Sequence, residues 1–352
     1  MPPHVTPARF ALGTFSAPNR PRFAGLVVRE DQVIAVDALQ TLIAEAGGEP
    51  FEADSVLGIF DRWDRAHEAL QIAADSLTSA STAAARAAAG TLVPLTSLCV
   101  HSPIAPRQIF LSGANYFKHV VDIIVDMGPG KTPGTEGMDA QQLRSHAEDL
   151  MTRRRLEGSP YIFSKPVSVL SGAFDSVVIP RGTEQPDWEV ELAVVIGRAA
   201  RHVKRADAKN YIGGYTIVND ITNRDQVWTK GDMKAMGTDW MTSKCRPTYL
   251  PCGPVIVPSA FVPDPQQLQI TLKLNGETKQ DESTSDMIFD VARLIEHISS
   301  LIELQPGDLI CTGSPAGNGT HFNRYLQPGD VMSAAITGLG EQRTPVIAER
   351  NQ

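Results

Sequence analysis

Residues 188–198 read Trp-Glu-Val-Glu-Leu-Ala-Val-Val-Ile-Gly-Arg, an alternation that fits a β-strand and little else. A period of two puts Glu189, Glu191, Ala193 and Val195 on one face, and Val190, Leu192, Val194 and Ile196 on the other. The second face is that of a core strand, so two carboxylates ride on a segment that burial itself requires. Another apolar run, 215–218, ends in Asn219-Asp220 and adds a third carboxylate. Two readings fit. An edge strand turns such acids to solvent; alternatively, two strands deliver three oxygen ligands to a hard divalent cation, Mg2+, Mn2+ or Ca2+. The spacing matches no zinc signature.

The rest of the chain reads as an α+β protein in two parts. Over 1–100 the pattern predicts a small α+β unit. It has a hairpin over 22–36 turning at Arg29-Glu30-Asp31, a helix over 39–46, and helical stretches over 67–77 and 80–89 that stop at Gly90. Residues 101–352 form the larger, mostly β part. A strand over 108–111 runs into Ser112-Gly113-Ala114-Asn115-Tyr116, and His119 and Asp122 then lie three apart on one helical face. A carboxylate beside an imidazole makes a general base, and it equally makes a local surface pair. Residues 127–157 form an insertion, Gly/Pro-rich and then helical, that reads as either a linker or an active-site lid. Lys165 stands in an apolar run, an uncommon place for lysine. Asn275-Gly276 is the strongest hairpin signal, and Ser285-Asp286 is a candidate cap for the amphipathic helix that carries Val291, Leu294, Ile295, Ile298 and Ile302. The phrase Leu-Gln-Pro-Gly-Asp occurs at 304–308 and again at 326–330, each as a tight turn into a strand. Between them the glycine-rich exit 311–319 lacks a Walker lysine, but its amides and Thr312 can hold a carboxylate.

A formal net charge of -8 gives no attraction to nucleic acid or an anionic membrane, and no segment is apolar and long enough for a bilayer span. The four cysteines, Cys99, Cys245, Cys252 and Cys311, form no metal or disulfide spacing and are expected as free thiols. The opening Met-Pro-Pro-His lacks a signal-peptide pattern, so a cytoplasmic location is expected.

Taken in order, Gly-x-Asn-Tyr-x-x-His at 113–119, Phe-x-Lys-Pro at 163–166 and Glu-x-Glu-Leu-Ala-Val-Val-Ile-Gly at 189–197 form a recognisable series. It continues with Asn-Asp at 219–220, Arg224-Asp225, Asn-Gly-Glu at 275–277 and the Pro-Gly-Asp to Pro-Ala-Gly stretch at 306–317. Over about residues 108 to 345 the chain resembles the fumarylacetoacetate hydrolase family. The resemblance implies a predominantly β, mixed β-sandwich or β-roll catalytic domain behind the small N-terminal unit, and a homodimer. It implies Mg2+ or Mn2+, with Ca2+ as a third choice, no organic cofactor, and a small 2-oxo or β-diketo acid as substrate. By position it implies metal ligands Glu189, Glu191 and Asp220, and catalytic His119, Asp122, Lys165, Lys244 and Arg224. Substrate contacts are expected from Asn115, Tyr116, Gln226, Thr312 and Gly313. Departures from the family pattern bear on the substrate: Asp122 in place of a longer Glu, Gln226-Val227 where Gln commonly comes one place later, Pro247 in place of an Asp, and a longer insertion.

The expected reaction is hydrolysis of a C–C bond in an acylpyruvate or fumarylpyruvate-like acid. In this scheme Asp122 orients His119, His119 activates water, and Lys244 and Arg224 face the developing oxyanion. Decarboxylation, isomerisation or hydration of a 2-oxo acid are the alternatives, as is a non-catalytic homologue that binds metal and ligand.

Overall fold

The structure, a computed structural model, describes residues 10–28, 31–79 and 82–350. Arg29 and Glu30 of the expected turn, residues 80 and 81 of the expected 80–89 helix, and the residues before Phe10 lie outside the described residues.

The Val190–Ile196 strand sits inside an eight-stranded sheet, antiparallel to Ile212–Asn219 on one side and to Leu309–Cys311 on the other. Every residue of the strand is buried, so the edge-strand reading of its acids does not hold. Its two faces meet different layers. Leu192 and Val194 pack towards a five-stranded sheet through Ile270, Leu272 and Met332. Ala193 and Val195 pack on the opposite side with Leu12, Leu26, Phe60 and Ile256. A strand covered on both faces reads as a continuous apolar run, and the two glutamates are the exceptions.

The N-terminal residues build a sheet of their own from Ala11–Ser16, Phe23–Val28, Gln32–Ala35, Val93–Pro94 and Cys99–Val100. Its helices include Trp63–Ser79 and Ala83–Ala89. This layer is not separate from the rest: Leu12 and Ile256 exchange backbone hydrogen bonds of 2.8 and 2.7 Å, and the apolar core runs through both.

The molecule is a mixed α+β fold in which helix and strand are nearly balanced. Strand does not predominate as expected. The difference comes from the N-terminal helices and from two helices packed on each other, Phe117–Met127 and Ala140–Glu157. The second of these is the core of the expected insertion. Asp139 and Gln142 close a capping box at its start, and Leu143, Ala147 and Met151 bury its inner side.

Local signals map well onto turns. Asn275 and Gly276 take φ of 53° and 87°, as a two-residue hairpin requires. In both Pro-Gly-Asp phrases the Asp accepts from the residue three before it, at 2.7 Å from Gln305 N to Asp308 and 2.7 Å from Gln327 N to Asp330. One cap differs from expectation. The Val291–Leu301 helix is capped by Asp290, which accepts from Arg293 N. Asp286 instead accepts from Lys118 N at 2.9 Å, in the first turn of the distant Phe117–Met127 helix.

Candidate active site

Glu189, Glu191 and Asp220 bring one carboxylate oxygen each within 4.8 Å of the others, and all three are buried. Glu189 immediately precedes its strand and Asp220 immediately follows the neighbouring one, so the cluster forms where this strand pair opens. Asp220 N donates to Glu189 O at 2.8 Å and fixes the two segments together.

Two buried lysines hold the acids. Lys165 Nζ donates to Asp220 Oδ1 at 2.6 Å, to Tyr249 O at 2.8 Å and to Ile221 O at 3.3 Å, which engages all three of its protons. Lys244 Nζ donates to Glu189 Oε2 at 2.6 Å, to Thr222 Oγ1 at 2.6 Å and to Asp220 Oδ2. Arg224 completes the set, with Nη2 on Glu189 Oε1 at 2.5 Å and Nε on Asp187 Oδ2 at 2.8 Å.

The charges do not balance. Four acids, Asp187, Glu189, Glu191 and Asp220, face three cations, Lys165, Lys244 and Arg224. Among the described residues no cation pairs with Glu191, whose carboxylate accepts only the Gly313 N–H at 2.7 Å. Burial, with Asp220 and Glu189 nearby, pushes its pKa well above the usual carboxylate range. Burial also opposes ionisation of Glu189, but Arg224 and Lys244 outweigh it and hold that carboxyl well below its usual range. Three clustered oxygen donors, one of them uncompensated, fit a hard divalent cation.

A cavity of about 600 Å3 opens onto this cluster. His119, Asp122, Arg224 and Lys244 line it together with the three acids. His119 is half-buried on the Phe117–Met127 helix, and burial pulls its pKa down to about 4, so the imidazole is neutral at neutral pH. Asp122 lies one turn on, but its carboxylate pairs with Arg144 Nη2 at 3.1 Å, across to the second helix. Its influence on His119 is electrostatic and smaller than that of burial.

None of the five expected substrate contacts lines the cavity. Asn115 is fully buried, with its amide tied to Phe289 O, Phe289 N and Thr312 O at 3.0, 2.9 and 2.8 Å. Tyr116 lies in the apolar core, and Thr312 Oγ1 donates to Leu192 O at 2.9 Å. Gln226 Oε1 accepts from Asn223 at 3.3 Å. Gly313, at φ 92°, presents its amide to Glu191. These residues shape and support the site from behind; the glycine-rich exit does hold a carboxylate, and it is the protein's own.

Two contributors escape the sequence reading. Asp187 accepts from Gly319 N at 2.5 Å and from Thr320 as well as from Arg224, and so links the glycine-rich loop to the cluster. Thr222 Oγ1 accepts from Lys244 and has two acceptors in reach of its one proton, Asp220 O at 2.9 Å and Glu189 Oε2 at 3.1 Å. Only their position, two residues from Glu189 and Asp220 respectively, hints at this.

Residues 108–347 match the family described as fumarylacetoacetate (FAA) hydrolase C-terminal. A mitochondrial oxaloacetate tautomerase of Homo sapiens is 39% identical over 184 residues, 51% of this chain and 57% of that one. A 2-hydroxyhepta-2,4-diene-1,7-dioate isomerase structure from Mycobacterium marinum superposes with a TM-score of 0.62 at 27% identity, covering 97% of this chain and 100% of that one. A maleylpyruvate hydrolase from Sphingobium sp. SYK-6, solved with manganese(II) and pyruvate, gives 0.67 at 25% identity over 97% and 100% of the two chains. Among the described residues no helix is long and apolar enough to cross a membrane.

Proposed function

Because the chain belongs to the fumarylacetoacetate hydrolase family, we propose that it is a divalent-metal-dependent enzyme that shifts a proton on an enolisable 2-oxo acid, as a tautomerase or double-bond isomerase. The observation that carries this choice over C–C hydrolysis is the Asp122–Arg144 pair at 3.1 Å. A histidine that strips a proton from attacking water works best when a carboxylate orients it and supports its charged form. Here that carboxylate is engaged elsewhere, and burial keeps His119 neutral. A neutral imidazole on the cavity wall suits proton removal from a carbon already made acidic by a neighbouring carbonyl. The tautomerase and isomerase relatives agree with this assignment.

Glu189, Glu191 and Asp220 would hold Mg2+ or Mn2+, which supplies Lewis acidity towards the 2-oxo and carboxylate oxygens of a bound acid. Manganese in the Sphingobium relative supports that choice. Lys165, Lys244, Arg224 and Thr222 fix the ligand oxygens, and the Gly313 amide aims Glu191. His119 then takes the proton from the carbon beside the 2-oxo group at one imidazole nitrogen and returns it to oxygen or to a more distant carbon. No organic cofactor enters such a transfer. Hydrolysis is the second reading, favoured by the hydrolase of the same fold and by the position of Asp122 one turn from His119, where release from Arg144 would let it orient the ring.

The test follows enol absorbance of a 2-oxo acid with chelator-stripped protein before and after Mg2+ is restored. Turnover should appear only with metal and fall at least about 100-fold in His119→Ala, with metal affinity retained. Undiminished tautomerisation by His119→Ala, or cleavage products forming faster than ketonisation, would refute the proposal.

A further inference from the structure

One wall of the cavity is aromatic. Phe163 and Trp240 stack with centroids 5.0 Å apart at 17°, and Trp240 Nε1 donates to Tyr161 Oη at 2.7 Å. This wall starts beside the carboxylate cluster, since Lys244 Nζ lies 5.4 Å from the Phe163 centroid and 5.6 Å from that of Trp240. Trp228 also lines the cavity and is 65% exposed. Its segment is held in place: Trp228 pairs with Thr238, Thr229 N donates to Gly237 O at 2.9 Å and Asp239 N donates to Val227 O at 2.8 Å. An indole held open to solvent at the mouth of a site is an apolar surface without a partner. Ile123 and Met127 extend the apolar lining from the helix that carries His119.

The charges point the same way. Among the described residues that line the cavity, the cationic or titratable basic side chains are His119, Arg224, Lys244 and His321. Arg224 and Lys244 are on the ligand carboxylates, and His321 Nδ1 is on Asp126 Oδ2 at 3.0 Å. His119 is neutral. Asp122 and Asp126 add negative charge along the same helix. The first carboxylate of a 2-oxo acid has the metal site to meet it. A second carboxylate on the far end would meet no free cation among these lining residues and would lie by Asp122 and Asp126, whose like charge disfavours it.

We infer that the substrate is a 2-oxo monocarboxylic acid with an aromatic or bulky apolar arm, received by Phe163, Trp240 and Trp228, and that dicarboxylic 2-oxo acids are disfavoured. The inference rests on the reading of the site as one for a 2-oxo acid, and it separates this chain from relatives named for dicarboxylic substrates.

The test is isothermal titration of the Mg2+-loaded protein with phenylpyruvate, pyruvate and 2-oxoglutarate. Burial of a phenyl ring against this wall should make phenylpyruvate at least about tenfold tighter than pyruvate, and 2-oxoglutarate should be weaker than phenylpyruvate by a similar factor. Trp228→Ala, an exposed position that folding does not need, should lower the phenylpyruvate-to-pyruvate affinity ratio about fivefold. Asp126→Asn should narrow the gap to 2-oxoglutarate. If pyruvate binds while phenylpyruvate binds no tighter, or 2-oxoglutarate binds tightest, the aromatic-arm inference fails and the 2-oxo acid site stands. If none of the three binds, the functional proposal fails and takes this inference with it.

Discussion

Replacing Glu191 with Gln should stabilise the metal-free protein and abolish its response to metal, two effects of opposite sign from one substitution. Glu191 is buried, and among the described residues its carboxylate has the Gly313 N–H as partner and no cation. The amide oxygen of Gln keeps that hydrogen bond and removes the uncompensated charge, a relief of about 1–2 kcal/mol. With unfolding entropy of about 2.1 cal/mol/K per residue over 352 residues, 1 kcal/mol moves the melting temperature by about 1.4 °C. The variant in EDTA should therefore melt about 1–3 °C above the native chain. At 100 times the dissociation constant, Mg2+ or Mn2+ adds about 2.7 kcal/mol, so the native chain should gain about 4 °C and the variant little. The pH dependence has its own sign. Because the folded pKa of Glu191 is raised above its ordinary 4.5, the folded state binds more protons, and the Glu191 contribution to stability falls as pH rises from 4.5. His119 opposes it: with a folded pKa of about 4 against 6.5, its contribution falls as pH drops below 6.5. The difference between native chain and variant cancels the histidine and isolates Glu191. Thermal melts in EDTA and in metal across pH 4–8 would measure both effects. A variant less stable than the native chain in EDTA, or one with an undiminished metal shift, would refute the charge-imbalance argument.

Three further outcomes follow from the same geometry. Lys165→Met leaves Asp220 with one cation and takes the lysine donor from Ile221 O, while Tyr249 O keeps the Ile221 N–H, and should cost about 3–5 kcal/mol, read as a melting point lower by about 4–7 °C in EDTA and partly restored by metal. Gly313→Ala forces a Cβ to 2.9 Å from Ser112 O at φ 92° and should cost about 1–3 kcal/mol, while weakening metal binding several-fold in titration because the amide that aims Glu191 shifts. Arg144→Ala frees Asp122, which raises the pKa of His119 from about 4 towards its ordinary value. Since the neutral imidazole is the active form, the acid limb of the pH–rate profile should move to higher pH; an unmoved limb would show that the two side chains do not communicate.

The carboxylate cluster was legible in part: alternation put Glu189 and Glu191 on one face of a core strand and Asp220 at the end of another apolar run, but that pattern also suited an edge strand, and only burial of the whole strand decides between the two. Turn chemistry was legible for the same local reason: Asn275-Gly276 and the two Pro-Gly-Asp phrases act within four residues. What failed was long-range. The Ser285-Asp286 pair looked like a helix cap, but Asp286 serves a helix more than 160 residues earlier. Asp122 looked like the partner of His119 until the Ala140–Glu157 helix brought Arg144 against it. Asn115 and Thr312 flank the site in sequence, yet their polar atoms satisfy buried backbone groups, a demand that an interior position imposes and that no local pattern records. Thr222 and Asp187 act through partners distant in sequence, Glu189 and Lys244 for the first and Arg224 and Gly319 for the second, so their roles emerge with the fold.

Deuterium exchange separates proton transfer at carbon by His119, beside the Glu189, Glu191 and Asp220 cluster, from hydrolysis. The Mg2+-loaded protein would be mixed with a 2-oxo acid in deuterated water containing labelled oxygen, and the recovered acid and any products analysed by mass spectrometry. Proton transfer by His119 should leave deuterium at the carbon next to the 2-oxo group, dependent on metal, lost in His119→Ala, and without bond cleavage. Labelled oxygen in a released carboxylic acid, with no deuterium wash-in to intact substrate, would contradict it and establish hydrolysis instead.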